Sequence, residues 1–396
     1  MATMRWAHRL RGSTISGQVV SAENGQSGAA AVSDSSERTV TAASGNTGQY
    51  QRQLDGLRAL AVLAVIVFHA RTTWLPAGFI GVDIFFVLSG FLITRILLRE
   101  MATTGHVSFR SFYIRRALRL FPALAVACVV IACLNWLVVT LPDRSATLIG
   151  TVGALTYSST WLMAFGVVDL GAMVPTWSLA VEEHFYIIWP CLAFLLLRSH
   201  RRLVWLTLLT TGAVAYCCLV PLVFGWTEAR TYYAPDTRAV QLLVGCLLAV
   251  VLGQFHLRIR SVWALSAAVA LAAFAIIPQY FPVAFYHRGG SVLVAVLAAI
   301  AVAHAASCEE SWISRALATS PMVWVGQRSY GIYLWNLPII SLMAFMGSGT
   351  IAVGIKLMLC FLVPALSFRF VEKPFLRLKP RFTGARGLAP AARAVA

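Results

Sequence analysis

The chain has 396 residues, of which 59 % are hydrophobic and only 12 % are charged, and its formal net charge is +17. A soluble domain cannot build a water-facing surface from so few charges. The basic residues lie between apolar segments and form no long basic tract, which argues against a nucleic-acid-binding protein. A membrane protein with basic cytoplasmic loops accounts for both the composition and the charge.

The domain organisation is read from composition. Residues 1–50 are rich in Ser, Gly, Ala and Thr and lack the continuous apolar core of a signal peptide, so we expect a disordered cytoplasmic tail. Residues 51–378 form the membrane domain, and 379–396 form a short cytoplasmic tail. Seven of the eight cysteines lie in apolar runs without metal-ligand spacing, and we expect neither a metal nor a bound cofactor.

Eleven apolar runs follow the tail, and most are long enough to cross a bilayer as a helix. We predict an all-α, polytopic integral membrane protein of about ten transmembrane helices plus one re-entrant or surface segment. The runs are 57–74, 78–98, 119–141, 146–166, 177–197, 203–224, 239–253, 261–281, 290–306, 321–346 and 350–371.

Loop charge predicts the orientation. Basic clusters follow the second run, the run 177–197 and the last run, which places these loops and both termini in the cytoplasm. If 119–141 runs outward and the basic loop after 177–197 is cytoplasmic, only one of the runs 146–166 and 177–197 can cross the membrane. We assign the crossing to 177–197, and the Thr-, Ser- and Gly-containing run 146–166 then lines a cavity.

Ionisable residues inside spans are candidate site residues because they are expensive in lipid. Arg58 and His69 are eleven residues apart in the first run, which places them on one helix face and about 16 Å apart along the axis. Arg58 alone is equally well explained by snorkelling, and His69 by a hydrogen bond to a neighbouring helix. A neutral imidazole also suits a general base, and for His69 we favour this role.

The run 177–197 carries adjacent carboxylates, Glu182 and Glu183, about one turn into an apolar helix. A purely structural pair of like charges would be unfavourable there. Because this helix runs inward, we expect Glu182 at the depth of His69, where it would orient the imidazole and stabilise its cation.

The stretch SFRSFYIRRALRLFPAL holds Arg115, Arg116 and Arg119. It is either an interfacial helix on anionic lipid or a site for phosphate groups, which arginine forks bind well. Further candidates, for contacts to an acceptor or an oxyanion, each have an alternative explanation in packing, capping or interhelical hydrogen bonds. They are Asp83, Ser89, Glu183, Asp236, Arg238, Tyr330 and Asn336.

Seven of these segments, in this order, resemble membrane acyltransferase family 3, whose members O-acylate bacterial polysaccharides, peptidoglycan and macrolide-type metabolites. The segments are LDGLRALAVLAVIVFH, GFIGVDIFFVLSGFLIT, FYIRRALRLFPAL, TWSLAVEEHFYIIWP, DTRAVQLLVGCLLA, YGIYLWNLPI and FVEKP, within residues 51–378. The resemblance implies a catalytic role for His69, donor handling by Arg58, Arg115 and Arg116, and a functional Glu182. One departure is Asn336, where members usually carry histidine.

From the resemblance we expect a membrane-bound O-acyltransferase that moves an acetyl or short acyl group from acyl-CoA to a hydroxyl of a sugar or a macrolide-type product. His69 would either deprotonate the acceptor or carry the acyl group itself. Some members carry a C-terminal hydrolase-like domain that we do not find, so we expect this chain to complete the transfer alone. The alternative is a transporter of an acylated or anionic metabolite, with the same charges lining its path.

Overall fold

The computed structural model describes residues 50–137, 144–255, 257–277, 285–347 and 349–379. Over these residues the regular secondary structure is helical, without a strand. The predicted all-α polytopic class is therefore confirmed. Residues 1–49 and 380–396 lie outside the described residues, so the two cytoplasmic tails stay predictions.

The α-helices are numbered in chain order. They are α1 (Arg52–Ala70), α2 (Gly81–Thr104), α3 (Phe109–Leu137), α4 (Arg144–Leu155), α5 (Ser159–Ala164), α6 (Thr176–Leu197), α7 (Arg202–Val223), α8 (Glu228–Tyr233), α9 (Pro235–Phe255), α10 (Ser261–Ile276), α11 (Ser291–Ser307), α12 (Trp312–Leu317), α13 (Ser320–Gln327), α14 (Ser329–Leu342), α15 (Thr350–Ser367) and α16 (Lys373–Leu376). Short 3₁₀ turns cover Gly78–Ile80, Gly171–Met173 and Ala344–Met346, and π-helical turns cover Tyr286–Gly290 and Phe368–Glu372.

In the described part of the chain, seven helical segments are long and apolar enough to cross a membrane. They contain α1, α2, α3, α6, α7, the pair α8–α9, and α15 with its extension to Leu376. Two shorter apolar helices, α10 and α11, lie in two further predicted runs, and the pair α13–α14 lies in the predicted run 321–346. α3 begins at Phe109, so its arginines belong to the first turns of a crossing helix and not to a separate interfacial one.

The run 146–166 does not form a crossing helix. α4 has 12 residues and α5 has six, whereas a crossing needs about 20. The break between them falls at Tyr157, whose φ of 55° lies in the left-handed region. α4 runs back along α3, since Cys128 Sγ lies 3.9 Å from the Thr151 carbonyl oxygen. The prediction that 146–166 is not a span is confirmed.

Close packing fixes the helices around α1. A Cβ on Gly90 would lie 1.9 Å from the Leu242 carbonyl oxygen, so α2 and α9 approach as only glycine permits. Along α1, Val62, Val65 and Ile66 are at most 1 % exposed and belong to the central core. The apolar stripe between Arg58 and His69 is therefore packed shut.

Candidate active site

His69 lies in the last turn of α1 and contacts α14. Its Nδ1 is 2.5 Å from Oδ1 of Asn336. The orientation of the amide is set by Asn336 Nδ2, which donates to the carbonyl oxygens of Ile332, at 3.3 Å, and Tyr333. Because an amide oxygen only accepts, the proton of the neutral ring is on Nδ1 and the lone pair is on Nε2. Nε2 has no hydrogen-bond partner among the described residues.

The orienting group is buried and the imidazole is accessible. Asn336 is fully buried, and Cys360 on α15 donates its thiol proton to the Asn336 carbonyl oxygen at 3.8 Å. Next to it, the hydroxyl of Tyr333 lies 2.7 Å from that of Ser178 on α6. His69 itself is partly exposed. A fixed Nδ1–H and an accessible Nε2 are the geometry of a general base.

Glu182 pairs with different groups from those predicted. Its Oε1 accepts from the Ser89 hydroxyl at 2.6 Å, and its Oε2 accepts from the Tyr186 hydroxyl at 3.0 Å. Among the described residues, no contact joins Glu182 to His69. The predicted histidine–glutamate dyad is therefore not formed, and Asn336 occupies the orienting position.

The register between α1 and α2 gives the depth of Glu182. Arg95 on α2 donates to the Gln51 side chain at the start of α1. Nearer the other end, Gly81 packs against the Ala61 carbonyl oxygen. Two antiparallel helices with these contacts place Ser89 opposite the second turn of α1.

Glu182 is hydrogen-bonded to Ser89, so it lies at the depth of Arg58, roughly 16 Å from His69 along the axis of α1. The prediction that the base and the carboxylate share one depth is wrong. The cause is the start of α6: Leu170 and Met173, just before it, are already fully buried in the core. Glu182 therefore lies deeper than it would in a helix that began at the outer surface.

Three guanidinium groups from two helices meet at the depth of Glu182. Arg119 on α3 lies close enough to Arg58 on α1 and to Arg116 for their charges to repel. The guanidinium carbon of Arg116 is 3.4 Å from the centroid of the Tyr186 ring, and its buried Nε has no partner. In the described part of the chain, Arg58 and Arg119 form no hydrogen bond or ion pair within 4 Å. We call Arg58, Arg116 and Arg119 the arginine cluster.

Other charges lie at the rim of the arginine cluster. Arg115 faces Glu100 on α2 at 3.7 Å, so it is partly neutralised. Lys379, beyond the last span, lies near Arg115 and two arginines of the cluster. Burial first, and then these arginines, lower the pKa of Lys379 to about 8. Acidic residues also lie nearby, Asp55 and Glu372 near Arg119 and Glu183 near Arg116. The three guanidinium groups nevertheless form no ion pair within 4 Å among the described residues, and guanidinium groups without a direct ion-pair partner are suited to bind an anion.

The family comparison fits this arrangement. The family model described as "Acyltransferase domain" matches residues 51–369. The chain belongs to membrane acyltransferase family 3.

Named relatives share most of the chain. The chain is 37 % identical over 351 residues to the peptidoglycan O-acetyltransferase OatA of Listeria monocytogenes. The aligned segment covers 82 % of this chain and 56 % of OatA. The chain is 36 % identical to the putative peptidoglycan O-acetyltransferase YrhL of Bacillus subtilis, with 82 % and 55 % covered. A putative O-acetyltransferase of Staphylococcus aureus is 33 % identical, with 83 % and 57 % covered. The chain thus spans little more than half the length of these relatives. No solved structure matches it significantly.

Two candidate residues of this acyltransferase-family chain, Asp83 and Arg238, form a closed network. Arg238 Nη1 lies 3.2 Å from Asp83 Oδ1, and the Tyr286 hydroxyl donates to Asp83 Oδ2 at 2.7 Å. The Gln241 amide donates to Asp83 Oδ1 at 3.1 Å. Asp83 and Arg238 are 1 % and 3 % exposed. Buried and ion-paired with each other, Asp83 and Arg238 join α2 to α9.

Apart from Asn336, the remaining candidates have no contact with His69 among the described residues. Asp236 begins α9 and is held by a two-pronged contact from Arg230, at 2.8 and 2.5 Å. The Tyr330 hydroxyl donates to the Leu120 carbonyl oxygen and ties α14 to α3. Glu183 lies near Arg116, on the cluster side of the molecule. Ser89 donates to Glu182 and Asn336 donates to carbonyls, so neither supplies the predicted oxyanion donor.

Two ionisable residues inside helices escaped the sequence reading of this family member. Glu372, in the π-helical turn after α15, is 5 % exposed, and its Oε1 has no hydrogen-bond partner among the described residues. It lies near Arg119 and Arg328. Lys356 on α15 is 7 % exposed and donates to the Gly347 carbonyl oxygen at 2.8 Å. For Lys356 the signal was a lone charge in an apolar run, the criterion already applied to His69. Glu372 lies between Arg369 and Lys373 and gave no such signal.

Proposed function

We propose that this protein is a membrane O-acyltransferase that moves an acetyl or short acyl group from acyl-CoA to a hydroxyl of a glycan or a glycosylated product such as a macrolide. One observation carries the proposal: a single helix, α1, bears an imidazole with an unpartnered Nε2 at one end and an arginine of the unpaired cluster at the other. A base and an anion site are the two parts that this transfer requires.

The chemistry follows from the tautomer of His69. Nε2 removes the proton of the acceptor hydroxyl while the oxygen attacks the thioester carbonyl carbon. The carbon–sulfur bond then breaks, and the CoA thiolate takes the proton back from the imidazolium. Asn336 holds Nδ1–H throughout, so Nε2 points at the reacting atoms, but the amide adds no negative charge to stabilise the cation.

The arginine cluster binds the donor phosphates in this proposal. It lies at the end of α1 that loop charge assigns to the cytoplasm of a bacterium, with the helices in the inner membrane. The rise from Arg58 to His69, about 16 Å, is of the order of a pantetheine arm. Because Val62, Val65 and Ile66 are packed shut, the helices must part along this stripe when the donor binds.

Glu182 takes a positioning role on the donor side. Its carboxylate holds the hydroxyl of Tyr186, and the ring of Tyr186 supports the Arg116 guanidinium. Glu182 therefore acts on the donor through Arg116 and does not serve His69.

The names of the relatives favour a glycan acceptor. OatA and YrhL are named for peptidoglycan O-acetylation, and a peptidoglycan-type oligosaccharide is the first acceptor to test. A macrolide glycoside is the second, because its sugar presents the same hydroxyl on a smaller amphiphile.

The test measures CoA release and product mass with purified protein in nanodiscs, acetyl-CoA and either acceptor. We expect an acetylated product from the wild type and a fall in turnover of about 10²–10⁴ for His69→Ala. His106→Ala, in an exposed loop, is the matched control and should retain full activity. A transporter would release no CoA, and near-normal turnover of His69→Ala would remove the base from the mechanism.

A further inference from the structure

A second basic site lies at the cytoplasmic end of the helices, between the α13–α14 junction and the end of α15. It is a cleft of about 520 Å³. None of the described residues that line it is acidic. Four basic and three aromatic side chains dominate the lining: Arg328, Arg369, Lys373, Arg377, Trp324, Phe368 and Phe370. We call it the basic cleft.

Arg328 is held in place inside the basic cleft. Its guanidinium carbon lies 4.3 Å from the Trp324 ring centroid and 4.7 Å from that of Phe368. Nη1 donates to the Trp324 carbonyl oxygen at 3.0 Å, while the buried Nε has no partner. A guanidinium fixed between two rings with a donor to spare is preorganised for an anion.

The surroundings of the basic cleft are those of a bilayer interface. Trp324 and Phe370 are 39 % and 67 % exposed, as aromatic residues are where helices leave the membrane. Leu362 and Leu366, on the adjoining turns of α15, are also exposed and offer an apolar track beside the cleft. The cations suit a phosphate headgroup, and the apolar track suits an acyl chain. An anionic phospholipid carries both.

We propose that the basic cleft binds the headgroup of an anionic phospholipid of the cytoplasmic leaflet, with an acyl chain along α15. The cleft is separate from the arginine cluster, because neither Arg58 nor Arg119 lines it. Glu372 lies near both Arg119 and Arg328 and divides the two sites. The proposal adds to the acyltransferase function, and its main readout is lipid binding.

The experiment measures binding of fluorescent phosphatidylglycerol, with fluorescent phosphatidylcholine as reference, to purified full-length protein in nanodiscs of phosphatidylcholine. The test variant is Arg369→Gln/Lys373→Gln, which leaves the packed Arg328 in place. The matched control is Arg201→Gln/Arg202→Gln, which removes the same charge from another basic loop assigned to the same face. Each basic residue near the surface is worth about fivefold in affinity, so the test variant should lose roughly 25-fold.

Three outcomes would overturn the proposal. The first is an equal loss in both double variants, which indicates general attraction to a charged surface. The second is full displacement of the labelled lipid by glycerol phosphate or inorganic phosphate, which makes a free phosphate the ligand. The third is displacement by acyl-CoA with a raised donor KM in the test variant, which assigns the cleft to the donor site. Selective loss of phosphatidylglycerol with an unchanged unfolding midpoint supports it.

Discussion

The arginine cluster and the Asp83–Arg238 network are both made of charges inside membrane helices, yet they differ in what surrounds the charge. In the network, every charged group of Asp83 and Arg238 is enclosed and paired. In the cluster, Arg58 and Arg119 are partly exposed and have no ion-pair partner among the described residues. We therefore expect the paired buried charges to serve the fold and the arginines of the cluster to bind a ligand.

The comparison predicts opposite responses to the removal of one charge. Asp83→Ala leaves Arg238 buried and unpaired, which should cost about 3–5 kcal/mol of folding free energy. Asp236→Ala is the control, because its pair with Arg230 is partly exposed, with the Asp236 side chain at 31 %, and should lose less. Unfolding in detergent measures both. Equal stability of Asp83→Ala and the wild type would contradict the structural role.

In the arginine cluster, Arg119→Gln should leave folding intact, because it relieves repulsion from Arg58 and Arg116. We expect the KM for acyl-CoA to rise ten- to more than hundredfold, since a charge-assisted hydrogen bond is worth about 1.5–3 kcal/mol. The KM for the acceptor should stay constant. Arg115→Gln should show a smaller effect because Glu100 already faces Arg115. A destabilised Arg119→Gln with normal donor KM would make the cluster a second structural network.

Glu182→Gln tests whether Glu182 supports the arginine cluster through the ring of Tyr186. A carboxamide can accept only one of the bonds from Ser89 and Tyr186. The loosened Tyr186 ring should raise the donor KM about tenfold and change kcat much less. Ser89→Ala should reproduce this split in weaker form. A large fall in kcat at constant KM would show that Glu182 acts in the catalytic step at His69 and not in donor binding.

The sequence predicted the helices well because apolar length and loop charge are local properties. It also singled out His69 and the arginines as candidates, since an ionisable residue in an apolar run is visible without a structure. It misplaced Glu182, because the depth of a residue depends on where α6 begins, and the packing of Leu170 and Met173 decides that start. For the same reason it could not separate Asp83, which is enclosed, from Arg58, which is open.

The smallest expected effect is a change in the pH dependence of stability and donor KM, caused by Lys379 at the rim of the arginine cluster. Burial and the nearby arginines lower its pKa from 10.5 to about 8, so in the folded protein Lys379 becomes neutral as the pH rises through 8. The unfolded chain keeps this proton up to its higher pKa, so the contribution of Lys379 to stability rises with pH between about 8 and 10.5 and is flat below.

Donor binding should follow the opposite trend. A phosphate favours the charged lysine, and donor phosphates are already fully ionised above their second pKa of about 6. The KM for acyl-CoA should therefore rise about three- to fivefold from about pH 7 to about pH 9, the worth of one partly exposed charge. Lys379→Arg keeps its charge over this range and should flatten the profile, whereas Lys379→Gln should show the higher KM at every pH. If Lys379→Arg follows the wild-type profile, another group titrates in this range and Lys379 takes no part in the anion site.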